Sequence, residues 1–268
     1  MYNSLTKPAS ISVTILTKNS SKTLGATLDS LKDFLEVIVL DSGSSDSTKE
    51  IATSYPNVKF IESPFLGFGK MHNYATKRGT YDWILSIDSD EVLTAELSQE
   101  ILSLDLDPKK IYELNRCNYF WGKWMKCCSG WYPDPVIRLY NRKSTSFTDD
   151  PVHEKVINGS CQIFPLKGKL IHTPYRSIDD FLYKMQLYST LFAEQNKGKN
   201  SSLTKAIVHG FSAFFKSYIL KRGFLGGKRG FIISLYNSHT AYYKYLKLAF
   251  AQDFETLDQE KEQIGRGD

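Results

Sequence analysis

The chain has 268 residues, enough for one large domain or a domain with a substantial appendage, and its 41% apolar content supports a full core. A formal net charge of +5 is too weak to argue for a nucleic-acid partner, and it suits an anionic ligand or an anionic membrane surface. Four cysteines without a C-x-x-C spacing argue against a zinc site or a disulfide framework. The N-terminus lacks the basic and apolar regions of a signal peptide, and no run of about 18 apolar residues predicts a membrane-spanning helix.

The first hundred residues alternate between β-branched apolar runs and amphipathic segments. Ile11–Thr17 (ISVTILT) reads as a strand. A helix follows with Leu24, Leu28 and Leu31 on one face, and Asn19, Ser20 and Ser21 are placed to cap it. Glu36–Asp41 is the second strand, and SGSSDSTKE turns into a helix where Ser47 and Glu50 have capping-box spacing. Val58–Ser63 is the third strand, a Gly-bearing loop leads to a helix around Met71–Lys77, and Tyr81–Ile87 is the fourth strand. This alternation predicts an α/β fold, a Rossmann-like and mostly parallel sheet with helices on both faces. Such sheets bind ligands at the C-terminal ends of their strands. The loops there are 17–20, 41–46, 63–70 and 88–91, all polar or Gly-bearing.

From about Ile111 the alternation breaks into interleaved aromatic and basic residues with short strand-like runs. From about Ser177 apolar residues recur every three or four positions with lysines and arginines between them, which predicts a helical C-terminal region.

The sharpest feature is WILSIDSDEVL, Trp83–Leu93, where an apolar run enters two aspartates one residue apart. Two like charges held close disfavour each other's ionisation. A hard divalent cation, Mg²⁺ or Mn²⁺, offsets that cost and can bridge Asp88 and Asp90 to a diphosphate. DSDEV also fits the D-x-D-x-[TV] entry of haloacid-dehalogenase-type phosphatases, in which the first aspartate is a nucleophile and the second a general acid/base. That motif usually opens its domain, whereas three strand–helix units precede it here, and Asp179–Asp180 is the tempting acidic pair to complete it.

The stretches ISVTILTKNSSKTLGATLDSL, EVIVLDSGSSDSTKEIA and IDSDE together resemble the nucleotide-sugar-binding half of family 2 glycosyltransferases, the GT-A fold. The later stretches GFGKMHNYA, YPDPVIRLYNR, PVHEKV, KGKLIHTPYRSIDDFLYK and KSYILKRGFLGGKRGF are similar to a narrower branch, the WaaE-like glycosyltransferases of lipopolysaccharide inner-core assembly. The resemblance implies a nucleotide-sugar-binding half over 1–107 and an acceptor-binding, catalytic half over 108–174. It implies a helical region over 175–268 that associates with membrane. It also implies a UDP-sugar donor with UDP-glucose first, a lipid-anchored glycan acceptor such as an inner-core heptose, and a cytoplasmic site on the inner face of the membrane. A catalytically idle relative that binds sugar nucleotide as a scaffold is the alternative of another class.

Carried over by position, Thr17, Lys18, Asn19 and Asp41 hold the base and ribose. Asp46 either joins them or caps the next helix. Lys70 and Asn73 lie on the donor side, where Lys70 either faces the diphosphate or is a solvated surface lysine. Asp88 and Asp90 are the metal motif, Asp90 touching the metal directly. An inverting transfer also needs a base for the acceptor hydroxyl. Many family members use an aspartate in a Glu-Asp pair, and this chain has PVHEKV instead. Glu154 is the candidate base, with His153 either orienting it or binding phosphate, and Asp134 in YPDP is the runner-up. Arg138 either pairs with acceptor or carboxylate or forms a structural salt bridge. The basic-aromatic C-terminal stretch either lies on an anionic bilayer or packs its aromatics inward with its cations solvated.

Overall fold

The computed structural model describes residues 10–150 and 154–264, with side chains as far as Phe250. The described residues fall into two compact units. One holds the residues up to Asn118 together with Pro133–Thr173, and the other holds Tyr119–Tyr132 together with the residues from Pro174 onward.

The elements of the first stretch are β1 (Ile11–Thr17), α1 (Leu24–Asp29), β2 (Glu36–Asp41), α2 (Thr48–Thr53), β3 (Val58–Glu62), α3 (Phe68–Arg78), β4 (Trp83–Asp88), β5 (Glu91–Leu93) and α4 (Ala95–Leu102). They are followed by β6 (Lys110–Phe120), the two-residue β7 (Lys123–Trp124), β8 (Pro135–Asn141) and β9 (Gln162–Tyr175). The strands join one sheet in the order β3-β2-β1-β4-β8-β6-β9-β5, with β7 paired to β6. The first four are parallel, and the β4–β8, β6–β8 and β5–β9 pairs are antiparallel.

Helices cover both faces of the parallel half. Ile11, Val13, Ile15, Val37 and Val39 pack with Leu24 and Leu28 of α1 on one face. On the other, Leu40 packs with Met71 and Ala75 of α3. Burial on both faces is why these strands read as continuous apolar runs.

Two caps differ from expectation. Thr23, not Asn19–Ser21, is the N-cap of α1, and it makes no side-chain cap bond. Ser47 occupies the N-cap of α2 without a side-chain bond; Asp46 accepts from Thr48 N (3.1 Å) and Thr48 Oγ1 (2.5 Å) instead. A carboxylate is the stronger acceptor at a helix start. These bonds from Thr48 and a further one from Ser21 hold Asp46 down at about 2.

The second unit contains α5 (Ile178–Gln195), α6 (Leu203–Phe215), a π turn at Lys216–Leu220, a 3₁₀ turn at Gly223–Gly226 and α7 (Gly227–Ile264). Ser177 and Asp180 form a complete capping box at the start of α5. Phe120, Met125, Cys127, Cys128, Trp131, Phe181 and Ile233 form its core. Tyr175 stacks on Phe181 at 4.0 Å. None of the four cysteines forms a disulfide. Burial and the adjacent Cys127 push the Cys128 thiol up to about 12, so it stays protonated and inert at neutral pH. No helix of the described residues is long and apolar enough to cross a membrane.

Candidate active site

Parallel register sets the ends of three strands side by side. Thr17 pairs with Asp41 across β1–β2, and Leu16 with Asp88 across β1–β4. Asp41 is buried and its carboxylate is occupied. Oδ1 accepts from Thr17 Oγ1 (3.0 Å) and Ser44 Oγ (2.5 Å), and Oδ2 from Gly43 N (2.9 Å) and Ser44 N (2.8 Å). Four donors fill the four acceptor positions of a carboxylate, so Asp41 shapes the 41–46 loop. Gly43 sits there at φ 91°, a backbone state that glycine adopts without strain. Asn19, at φ 52°, clasps the same loop. Its N donates to Ser44 Oγ (2.7 Å) and its Oδ1 accepts from Ser45 N (2.8 Å). Lys18 stands exposed beside it.

The aspartate turn after β4 is embedded in a network drawn from the antiparallel strands. Glu91, fully buried, accepts from Arg138 Nη2 of β8 (2.6 Å), Arg116 Nη1 of β6 (3.1 Å) and Asp88 N (3.0 Å). Arg138 Nη2 also donates to Asp88 Oδ2, and Arg116 Nη1 lies 3.8 Å from the same oxygen. Burial alone would raise the Asp88 carboxyl, but Arg138, His72, Arg116 and His172 outweigh it and hold Asp88 well below the usual carboxylate range. Asp88 thus braces the turn against two guanidiniums.

The network continues to Asp90. Arg116 Nε donates to Asp134 Oδ2 (2.8 Å), which also accepts from Asn118 Nδ2 (2.7 Å). Asn118 Oδ1 meets His172 Nδ1 at 2.5 Å, and His172 Nε2 stands 3.6 Å from Asp90 Oδ2. Because Asp134 only accepts, Asn118 presents its amide nitrogen there and its oxygen to His172. The proton of a neutral His172 therefore sits on Nδ1, and Nε2 offers its lone pair beside Asp90.

These residues fit a divalent cation. Among the described residues no group of three or more His, Cys, Asp or Glu side chains could cage a metal by itself. An Asp90–His172 pair leaves coordination positions for phosphate oxygens and water, which suits Mg²⁺ or Mn²⁺. Asp88, Glu91 and Asp134 meet the two guanidiniums and Asp90 stands beside His172, so the cluster holds more carboxylates than guanidiniums, a balance that suits a cation.

Glu154 stands beside a histidine that sequence reasoning passed over. His72 of α3 is buried, stacks on Phe147 at 4.3 Å, and meets Ser86 Oγ through Nδ1 (3.2 Å). Its Nε2 stands 3.6 Å from Glu154 Oε1. His153, the expected orienting partner, lies outside the described residues. Asn73 donates to Phe147 O (3.0 Å) and Asp149 Oδ1 (2.9 Å) and accepts from Phe147 N (3.1 Å). Lys70 is exposed on the first turn of α3. Arg116, Asn118 and Glu91 were also missed, since their partners are distant in sequence. His172 carried a signal, standing within KGKLIHTPYRS, and its register opposite Glu91 brings it to the turn.

Strand-end loops, a carboxylate turn with an imidazole beside it and two guanidiniums braced against that turn stand together in this unit, at the strand ends where such sheets bind ligands. The chain belongs to glycosyl transferase family 2, whose family model matches residues 12–157. It is similar to an uncharacterized glycosyltransferase of Rickettsia prowazekii (strain Madrid E), 30% identical over 93% of this chain and 89% of that one. It is also similar to the lipopolysaccharide core biosynthesis glycosyltransferase LpsC of Rhizobium meliloti (strain 1021), 27% identical over 83% of this chain and 85% of that one. Among solved structures, S. aureus TarS 1-349 in complex with UDP-GlcNAc is 17% identical, with 91% of this chain and 92% of that chain covered and a TM-score of 0.46. Family membership leaves the phosphohydrolase alternative without support, and Asp180, half of its acidic pair, is committed to the α5 capping box.

Proposed function

We propose that this family 2 glycosyltransferase is a metal-dependent, inverting hexosyltransferase of the WaaE-like group. It moves glucose from UDP-glucose to an inner-core sugar such as heptose on a lipid-anchored lipopolysaccharide or lipooligosaccharide precursor, working on the cytoplasmic face of the inner membrane. The observation that carries the reading is the Asp90–His172 pair, locked through Asn118, Asp134 and Arg116 to the turn after β4. The similarity to a protein named for lipopolysaccharide core biosynthesis supports the acceptor class. Residues 1–107 serve the donor, 108–174 the acceptor and chemistry, and 175–268 the membrane.

In this reading the 17–19 loop, held to 41–46, receives the base and ribose, and Lys70 faces the diphosphate. Asp90 and His172 would hold the divalent ion, which when bound would supply positive charge beside the leaving diphosphate. Glu154 takes the proton of the acceptor hydroxyl as that oxygen attacks the anomeric carbon from the face opposite the diphosphate. The carbon–oxygen bond to the diphosphate breaks and its electron pair leaves with UDP. His72 keeps Glu154 in place. Asp134 is the weaker candidate base because Arg116 and Asn118 already occupy one of its oxygens.

Glu154→Gln should bind UDP as the parent does while transfer falls by about 10²–10⁴-fold, the usual worth of a general base. Near-normal transfer by that variant would move the base to Asp134. Parent protein that binds UDP yet transfers no sugar to any core acceptor would favour the scaffold reading.

A further inference from the structure

Between Glu194 and Asp253 the chain carries ten lysines and arginines and no aspartate or glutamate. The whole chain has a net charge of +5, so this stretch holds +10 and the remainder −5. Lys197 and Lys199 precede α6, and the rest of this charge falls on α6, the turns after it and α7.

The faces of α6 are inverted relative to a helix bathed in water. Its buried positions are Ala206 and Gly210, and Ser217 is buried in the π turn that follows. A Cβ on Gly210 would meet Tyr242 Cβ at 3.2 Å, so α6 packs on α7 through small residues. The large apolar side chains point outward instead: Val208, Phe211 (74% exposed), Phe215, Leu220 (63%), Phe224 and Leu225 (64%). A water-facing helix keeps such residues inward, and a contiguous exposed apolar patch marks an interaction surface. Phe211, Phe215, Lys216 and Leu220 border one shallow depression. Lys216, Lys221, Arg222 and Lys228 are exposed on the same segment.

We infer that the segment Val208–Leu225 docks the chain on an anionic lipid bilayer. α6 lies in the interfacial plane, its phenylalanines and leucines enter the headgroup–acyl boundary, and the cations meet anionic headgroups. Charge selects this occupant. A second copy of the same face would bring cation against cation with no acid to pair them. An anionic bilayer supplies apolar depth and negative charge together. No helix of the described residues is long and apolar enough to span, so the segment lies on the membrane surface. The inference deepens the proposed action on a lipid-anchored acceptor by naming the surface and the lipid charge, and it rests on that reading for its purpose alone.

The test is co-sedimentation of the full chain with vesicles of phosphatidylcholine alone and of phosphatidylcholine with phosphatidylglycerol, beside UDP titration of the same samples. Binding should require phosphatidylglycerol and weaken as salt is raised. It should fall at least about tenfold in Phe211→Ser/Phe215→Ser and in Lys221→Glu/Arg222→Glu. Both double variants change exposed side chains and should keep parental circular dichroism and UDP binding. Absence of parental binding to either vesicle, or parental binding by both variants, would overturn the inference. So would a solution dimer abolished by the same variants without any vesicle binding. Vesicle binding without UDP binding supports the surface and counts against the donor reading; UDP binding without vesicle binding does the reverse.

Discussion

Glu91 has no solvent contact, yet it accepts from two guanidiniums and a backbone amide. Removing one partner of a buried ionic group leaves the others uncompensated, which costs about 3–5 kcal/mol. Glu91→Ala should lose that much in urea unfolding; a loss below about 1 kcal/mol would mean the network is held otherwise. Glu36 shows the pH side of the same physics. Burial raises its carboxyl, but donors from Ser12 Oγ (2.5 Å), Thr80 N (2.8 Å) and Thr80 Oγ1 (2.8 Å) outweigh burial, so its folded pKa is depressed. A depressed carboxyl contributes stability that is fully present above its unfolded value near about 4.3 and is lost as pH falls through the folded value. Glu36→Gln should therefore flatten the acid limb of the stability curve below about pH 4. An unchanged limb would show that these donors do not favour the ionised form.

At the level of elements, the α5 capping box satisfies the Asp180 and Ser177 amides at a helix start. Ser177→Ala should cost about 1 kcal/mol in thermal or urea unfolding. No measurable change would mean water caps the helix as well. Elements buried on both faces were the legible ones: β1 and β2 begin and end where their β-branched runs do. β6 and β9 were not: β6 mixes aromatic, basic and apolar side chains without a strand or helix period, and β9 alternates only over Leu166–Leu170 of its 14 residues. Caps misled where neighbouring hydroxyls and carboxylates compete. Ser47 had the spacing and Asp46 took the bonds.

For the whole molecule, the D-x-D turn and its place at a strand end could be read from sequence, but its surroundings could not. Arg116 reaches Glu91 across 25 positions and His172 reaches Asn118 across 54, separations that local pattern does not encode. The register of antiparallel strands set beside the parallel half creates these contacts. It also turns Asp88 toward arginines and leaves Asp90, with His172, as the pair suited to a cation. The most direct test of this account is calorimetric titration of UDP into the full chain with and without Mn²⁺, repeated on Asp90→Ala. The account predicts UDP binding that Mn²⁺ strengthens in the parent and does not strengthen in the variant. UDP binding in neither condition, or an undiminished Mn²⁺ effect in Asp90→Ala, would contradict it.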